Sequence, residues 1–278
     1  MIDRVPHLSV EDFRREYLDR QRPVVFGGAI EGWTARTRWT PQYLKDTWGD
    51  THIDYRGITG SLREVIDRAA ASRPERPEPY LKNLDIASHL PGMLADIAPR
   101  LPHANPNWFD SPLVPGAIRD TGTRYELFIG GNGSFIPRLH YDEFAVNNFI
   151  SQIYGTKEFW FYPPDAGRHL YPGVDNPYLS QVDDPRAPDP ARFPLFNTVE
   201  PFKLLVRPGE TVYVAPGWWH WTQMPELSIS VGCNCANRSN WSRFTHEFTT
   251  AFGRRSRPKW IAMRAYLSAY GALRSLAG

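Results

Sequence analysis

Two histidines and one aspartate, His140, Asp142 and His220, form the most suggestive set of potential metal ligands in the sequence. His140 and Asp142 are two positions apart, and on an extended strand such residues project from the same face. His220 lies far along the chain, behind a turn and a short β-branched strand, and a wrapped barrel can bring such distant strands together. Two histidines and a carboxylate make the facial triad that holds non-heme Fe(II) with positions left open. Either half alone is a weak signal, because a single histidine is more often a hydrogen-bonded structural residue.

The segments that must position these ligands have the pattern of short strands separated by turns. Runs of β-branched and aromatic residues cover 125–129, 148–153, 157–162, 202–206, 211–214 and 227–233. Helical patterns precede this region, and another follows it. Antiparallel strands of this kind predict a mainly β fold, a double-stranded β-helix of the jelly-roll type, with flanking N-terminal and C-terminal α-helices.

The order of these motifs resembles the JmjC-type, cupin-like oxygenases that depend on Fe(II) and 2-oxoglutarate. His140-x-Asp142 comes first, a strand beginning at Lys157 follows a Gly-x turn, and Gly-Glu-x-x-Tyr-Val-x-Pro-x-Trp-Trp-His ends at His220. The likeness is most marked to the asparaginyl hydroxylase of hypoxia-inducible factor and its bacterial relatives, and it runs from about Arg22 to about Trp241. It implies that Fe(II), 2-oxoglutarate and O2 are used to hydroxylate a peptide, protein or amino-acid-like substrate, with release of succinate and CO2.

The same resemblance implies three residues that bind the cosubstrate. Lys157 occupies the position of the lysine that meets the far carboxylate of 2-oxoglutarate; lysines usually point into water, and the resemblance is what favours the inward orientation. Asn148 matches an asparagine near the oxo acid, with Asn147 as the alternative if the register slips. Tyr80 matches a tyrosine that hydrogen-bonds the cosubstrate, although a core tyrosine is an equal alternative.

The sequence departs from the family pattern at two places. Pro137 stands where the family has a threonine, so a hydroxyl partner of the cosubstrate is missing, and Ser134 or Tyr125 could replace it. Near the end of the barrel the expected asparagine falls at Gly232 or Asn234. Asn234 is preferred because it has a side chain that can bind the cosubstrate.

Other functions remain open on the sequence alone. One alternative is a cupin-like metal-binding module without turnover, and another is a cupin enzyme that does not use 2-oxoglutarate. Lys157 favours the 2-oxoglutarate-dependent oxygenase over a cupin enzyme without this cosubstrate, because the latter needs no cation for a distal carboxylate. The proline-rich residues 165–201 are long for a loop in a compact domain and are predicted to form a wall of the substrate groove. We predict an oxygenase domain over residues 1–241 and a helical segment over 242–278.

Composition and charge limit the classes of binding partner that are expected. The chain has 278 residues and a formal net charge of +2, which argues against a nucleic-acid binder, since those usually carry a basic excess. We see neither a signal-peptide pattern nor an apolar run long enough to span a bilayer, so a cytoplasmic protein without a membrane partner is expected. The two cysteines, Cys233 and Cys235, are predicted to be packed thiols.

The C-terminal segment carries an apolar stripe at helical spacing. Its members are Trp260, Met263, Leu267, Tyr270 and Leu273. Such a stripe either packs on the protein's own barrel or forms a two-fold interface between copies. The resembling asparaginyl hydroxylase builds a dimer from its C-terminal helices, so we predict a homodimer.

Overall fold

Strands dominate the centre of the chain, and helices lie at both ends. The computed structural model describes residues 1–122, 124–253 and 257–276. The strands are β1 (Asp3–Val5), β2 (Val24–Phe26), β3 (His52–Tyr55), β4 (Ile58–Ser61), β5 (Leu81–Asp85), β6 (Tyr125–Gly130), β7 (Asn147–Tyr154), β8 (Lys157–Tyr162), β9 (Phe202–Val206), β10 (Thr211–Val214), β11 (Trp219–Gln223) and β12 (Ser228–Cys235). The α-helices are α1 (Val10–Phe13), α2 (Ala35–Arg38), α3 (Pro41–Trp48), α4 (Leu62–Ala71), α5 (Ile86–His89), α6 (Gly116–Gly122), α7 (Trp241–Gly253) and α8 (Arg257–Leu276).

Two sheets face each other and enclose the interior of the barrel. The larger sheet has seven strands in the order β1-β2-β10-β7-β12-β6-β5, and only β1 and β2 are parallel. The smaller sheet has the order β11-β8-β9. Its edge is extended by residues 135–140, whose backbone hydrogen-bonds with β11 at Ile136 and His140. This arrangement confirms the predicted jelly-roll fold with flanking helices.

The outer face of the larger sheet packs on the N-terminal helices. Phe13 at the end of α1 contacts Phe149 of β7 and Tyr213 of β10, with ring centroids 5.6 Å and 5.0 Å apart. Leu127 of β6 and Ile229 of β12 are fully buried in the same cluster. Because every second residue points outward, the alternate positions of these strands line the barrel interior.

The proline-rich stretch 165–201 is tied to the strand that carries the first histidine. The backbone N–H of Tyr141 donates to the Tyr178 carbonyl at 3.0 Å, and the N–H of Ser180 donates to the Leu139 carbonyl at 2.8 Å. Residues 178–180 therefore act as a further edge strand beside His140. The stretch positions a candidate ligand as well as bordering the barrel mouth.

Helices α7 and α8 pack against each other and against the loop that contains Trp108. Leu267 and Tyr270 of α8 are buried, and Tyr270 contacts the rings of Trp108 and Trp241 at 6.1 Å and 5.2 Å. Trp260 and Met263 pack on the same cluster, whereas Leu273 is 68% exposed. Most of the predicted stripe is thus covered by the protein's own chain.

Residues 254–256 and 277–278 of the predicted C-terminal segment lie outside the described part. None of the helices in the described ranges is long and apolar enough to span a membrane.

Candidate active site

His140, Asp142 and His220 converge at one end of the barrel interior. His140 and His220 are paired across neighbouring strands, exchanging backbone hydrogen bonds of 3.1 Å and 2.6 Å. Side chains of such a pair share a face, and the two imidazole centroids lie 4.3 Å apart. His220 Nε2 lies 4.0 Å from an oxygen of Asp142, and one ligand atom from each residue falls within 4.8 Å of the others. This is the spacing of three ligands on one metal ion.

Hydrogen bonds behind the triad set the orientation of each ligand. Nδ1 of His140 lies 3.0 Å from the Arg138 carbonyl, and Nδ1 of His220 lies 3.1 Å from the Trp218 carbonyl. A carbonyl only accepts, so each Nδ1 carries the proton and each Nε2 keeps its lone pair free. Burial and the neighbouring His220 lower the pKa of His140, which keeps its imidazole neutral. In both histidines, Nε2 is therefore the nitrogen available to a metal.

Asn148 fixes the third ligand. Its amide Nδ2 donates to Asp142 Oδ2 at 3.0 Å, which leaves Oδ1 as the oxygen that faces His220. Such second contacts orient metal-binding carboxylates and are typically worth 10- to 100-fold in metal affinity. Asn148, predicted near the oxo acid, thus lies directly beside the triad, while Asn147 bonds Tyr213 on the opposite face.

Lys157 lies deeper in the barrel. It is only 2% exposed, and its Nζ donates to Ser230 Oγ at 3.0 Å. Nζ also lies over the rings of Tyr80 and Phe128, at 5.3 Å and 4.8 Å from their centroids. Burial lowers the pKa of Lys157 to about 7, and within the described residues no carboxylate reaches ion-pair distance of its Nζ. A buried ammonium without a counter-ion suits an anionic ligand such as the far carboxylate of a dicarboxylic acid.

The interior face of β12 also presents a free polar group. Asn234 is paired with Asn148 across the two strands, and its buried Oδ1 has no hydrogen-bond partner in the described part of the chain. Gly232 points to the same side, where an added Cβ would lie 2.8 Å from Phe128 and 2.9 Å from Ile150. Asn234 has the side chain that Gly232 lacks, and its role in binding the cosubstrate stays a prediction. Its unpaired oxygen suits a ligand donor.

Tyr125 and Ser134 do not reach the barrel interior. The Tyr125 ring packs edge-on against Trp33 at 5.9 Å, and its hydroxyl accepts a 2.9 Å hydrogen bond from the Leu101 N–H. Ser134 donates to the Glu78 carbonyl at 2.9 Å. Both hydroxyls hydrogen-bond to the backbone of the surrounding loops and lie outside the candidate site. Neither residue therefore replaces the hydroxyl group that the family's threonine supplies and that Pro137 lacks.

Glu126 is a site residue that the sequence prediction missed. It follows Tyr125 on β6 and so points to the opposite, inner face, like Phe128. Burial and the negative charge of Asp142 raise the pKa of Glu126. The sequence signal that could have identified Glu126 is a carboxylate within the otherwise uncharged strand β6.

The sequence profile of a known family matches two thirds of the chain. The profile describes a cupin-like domain and covers residues 56–241, which include the triad, Lys157, the smaller sheet and five of the seven strands of the larger sheet.

The chain belongs to the cupin-like domain family.

Several curated proteins are similar to most of this chain over part of their own length. Arginine-specific demethylase JMJ22 of Arabidopsis thaliana is 26% identical over 86% of this chain and 47% of its own length. Jumonji C domain-containing protein 5 of Drosophila melanogaster is 26% identical over 80% of this chain and 57% of its own length. The human bifunctional peptidase and (3S)-lysyl hydroxylase JMJD7 is 24% identical over 79% of this chain and 78% of its own length. The chain thus spans about half the length of the first two, and the JmjC-type resemblance of its cupin-like domain is confirmed.

Proposed function

We propose that this protein is an Fe(II)- and 2-oxoglutarate-dependent dioxygenase that hydroxylates a peptide, protein or amino-acid-like substrate. The observation that carries the proposal is Lys157, a buried ammonium that has no counter-ion among the described residues and lies in the same interior as a two-histidine, one-carboxylate triad. A metal-binding module needs no such cation, and neither does a cupin enzyme without an acidic cosubstrate. The family assignment and the names of the relatives support the same activity.

In this proposal each residue has a defined task. His140 and His220 bind Fe(II) through Nε2, and Asp142 binds it through the oxygen that Asn148 leaves free. Lys157, with Ser230, binds the distal carboxylate of 2-oxoglutarate. Bound Fe(II) supplies the site at which O2 oxidises 2-oxoglutarate to succinate and CO2 and the substrate is hydroxylated.

The remaining interior residues complete the cosubstrate pocket. Asn234 and Tyr80 offer polar groups to the bound oxo acid. Phe159 and Phe161 stack at 5.7 Å on the wall formed by β8 and keep water from the interior. A dry site strengthens each of these ionic contacts.

The test is to measure metal binding, 2-oxoglutarate binding and succinate formation on the same samples. Anaerobic calorimetry with Mn(II) should give one metal site and metal-dependent 2-oxoglutarate binding, and aerobic Fe(II) samples should form succinate. His220→Ala should abolish metal-dependent 2-oxoglutarate binding and succinate formation, while the far-UV circular dichroism spectrum stays unchanged. Metal binding without 2-oxoglutarate binding would instead support the metal-binding module or the cosubstrate-free cupin enzyme.

The substrate is proposed to be a protein or peptide, as the names of the relatives suggest for those proteins. Tyr178 of the 165–201 stretch packs on Tyr141 at 5.3 Å, beside Asp142, and supports its assignment as a wall of the groove. Because residues 178–180 also hold the His140 strand, shortening this stretch should weaken metal binding as well as substrate binding.

A homodimer through the C-terminal helices is also proposed, with residues 1–241 as the oxygenase domain and 242–278 as the dimerisation element. The supporting observation is a second apolar face on α8, which points away from the buried stripe. Its exposed residues are Ile261, Ala265, Ala269, Ala272, Leu273 and Leu276. They recur at helical spacing without a charged side chain among them, and self-complementary apolar faces of this kind suit a two-fold interface.

Charges placed on this face test the dimer. Ala269→Arg together with Leu273→Glu should convert a dimer to a monomer by light scattering. The matched control is Ser242→Glu, which adds a charge at an exposed position of α7. A wild type that is monomeric at micromolar concentration would contradict the proposal.

A cytoplasmic setting is proposed as well. Cys233 and Cys235 are buried free thiols, and burial raises the pKa of Cys233 to about 12. Unpaired cysteines are the usual state in a reducing compartment.

A further inference from the structure

A cavity of about 430 Å³ lies outside the barrel, where N-terminal and C-terminal parts of the chain meet. It is bordered by residues from 14–19, which follow α1, from 106–108, from the connection 237–239 between β12 and α7, and from 274–275 in the last turn of α8. The triad and the proposed cosubstrate residues have no part in its lining. Its volume is within the range of sites that hold small molecules.

Three arginines from different segments line this cavity, namely Arg14, Arg238 and Arg274. The lining contains one acidic residue, Asp19, so its formal charge is +2. Within the described ranges, none of the three guanidinium groups forms an ion pair with a carboxylate. Like charges that converge in this way repel one another, and an anion bound among them would remove the repulsion.

Neutral groups hold two of these arginines beside the cavity. Nη2 of Arg14 donates to the Asn105 carbonyl at 2.7 Å, and the guanidinium of Arg274 lies 6.0 Å from the centroid of the Trp108 ring. A guanidinium has five N–H donors, so most donors of both arginines remain available to a ligand.

A rigid turn presents the third arginine. The N–H of Asn237 donates to Asn240 Oδ1 at 2.8 Å, and the N–H of Ser239 donates to Asn237 Oδ1 at 3.0 Å. Both asparagines are buried, whereas Arg238 between them is exposed. The turn therefore fixes the backbone of Arg238 and leaves its side chain at the cavity.

The remaining lining is partly apolar. Leu18, Pro106 and Trp108 also border the cavity. A site that combines arginines with such a wall suits a ligand that has an organic part as well as an anionic group.

We propose that this cavity binds a small phosphorylated molecule, with its phosphate among the three arginines and its organic part against the apolar wall. A phosphomonoester carries a charge of about −1.5 to −2 at pH 7, which matches the charge of the lining, whereas a carboxylate carries only one charge. The planar guanidinium group also matches the oxygens of a phosphate in a bidentate way. This site is separate from the proposed oxygenase site and does not depend on it.

The experiment is calorimetry on the full chain with three probes. Phenyl phosphate has the ring and the double charge, benzoate has the ring and one charge, and inorganic phosphate has the charge without the ring. Phenyl phosphate should bind more tightly than either of the others by about tenfold, the effect of one further charged hydrogen bond. Its binding should weaken with added salt, because exposed charges are screened, and below about pH 6, where the phosphate takes up a proton.

Two variants and two controls locate the binding. Arg238→Gln and Arg274→Gln should each weaken phenyl phosphate binding by about tenfold to a hundredfold. The matched control is Arg20→Gln, which removes an exposed arginine that pairs with Glu16 at 3.1 Å outside the cavity. Lys157→Met should leave the binding unchanged as well, since the probe does not occupy the cosubstrate pocket. Far-UV circular dichroism checks that each variant is folded.

Equal binding of benzoate and phenyl phosphate would overturn the inference, as would unchanged binding in both cavity variants. Equal losses in Arg20→Gln and Arg238→Gln would mean that the general positive charge of this surface attracts the probe. A loss in Lys157→Met would place the probe in the barrel. Phosphotyrosine peptides with randomised flanks that bind more than about tenfold tighter than phenyl phosphate would assign the site to a protein partner instead of a small molecule.

Discussion

The inner and outer faces of the larger sheet differ sharply, although the same strands make both. On β6, β7 and β12 the inner face carries Glu126, Asn148, Gln152, Ser230 and Asn234. The outer face of these strands carries Leu127, Ile129, Phe149, Ile153, Ile229 and Val231, all buried against the N-terminal helices. The outer face is an apolar core, whereas the inner face combines these polar groups with the apolar side chains of Phe128 and Ile150.

The difference separates stability from function. Apolar burial on the outer face stabilises the fold at about 25 cal/mol per Å² of surface removed from water. On the inner face, the amide oxygen of Asn234 and the ammonium of Lys157 have no hydrogen-bonding or ionic partner of opposite charge, respectively, in the part of the chain that the structure describes, and both cost stability until a ligand binds them. We therefore expect inner-face substitutions to change binding and outer-face substitutions to change stability.

The largest effect is expected from the triad itself. Asp142→Ala should remove metal binding, a loss beyond the roughly 10- to 100-fold typical of residues that only orient a ligand. Asn148→Ala should fall within that smaller range, because it frees the carboxylate without removing it. Metal content after dialysis measures both. Equal metal content in wild type and Asp142→Ala would break the comparison, since metal binding would then not depend on the inner-face carboxylate.

Lys157→Met should weaken 2-oxoglutarate binding by about 3 to 5 kcal/mol, the cost of removing one partner of a buried ion pair. The same substitution should stabilise the ligand-free protein, because an apolar side chain replaces a desolvated ammonium. Calorimetry and urea unfolding measure the two changes. A variant that lost both affinity and stability would place Lys157 with the outer-face residues.

Leu127→Ala tests the outer face. Leu127 is fully buried, so truncation should lower the free energy of unfolding by about 2 to 5 kcal/mol. The dissociation constant for 2-oxoglutarate should stay within about twofold of wild type. A large rise in that constant, measured below the unfolding transition, would show that the two faces are coupled.

The smallest effect is a pH dependence. The folded protein lowers the pKa of Lys157 from 10.5 to about 7, so between these values the unfolded chain binds more protons. Protonated Lys157 therefore destabilises the fold most below about pH 7, and this cost falls as pH rises, by at most about 1.4 kcal/mol per pH unit. The stability gap between wild type and Lys157→Met should narrow from pH 7 to pH 9. A constant gap would mean that Lys157 keeps its ordinary pKa.

The strands that carry the candidate site could be predicted from the sequence alone. The predicted bounds of β8, β9 and β10 coincide with those observed. His140, Asp142 and His220 come together because strand alternation and family spacing fix them independently of loop conformation. The inward orientation of Lys157 followed from the resemblance, and its burial agrees.

The phase of β6 was decided only by the tertiary structure. Leu127 and Phe128 are both apolar and both buried, so hydrophobic alternation does not tell which of Tyr125 and Glu126 faces the interior. The N-terminal helices cover the side of Tyr125, and Glu126 is left in the barrel. The position of Asn83, which donates a hydrogen bond to Glu126, likewise depends on a bulge that has no clear pattern in the sequence.

The same reason applies to α8. Its sequence contains two apolar faces, and either could pack on the barrel. The fold buries the one with Leu267 and Tyr270, because their large side chains fill the space beside Trp108 and Trp241, and the alanine-rich face remains exposed. A sequence pattern shows that a face is apolar, whereas only packing determines which neighbour covers it.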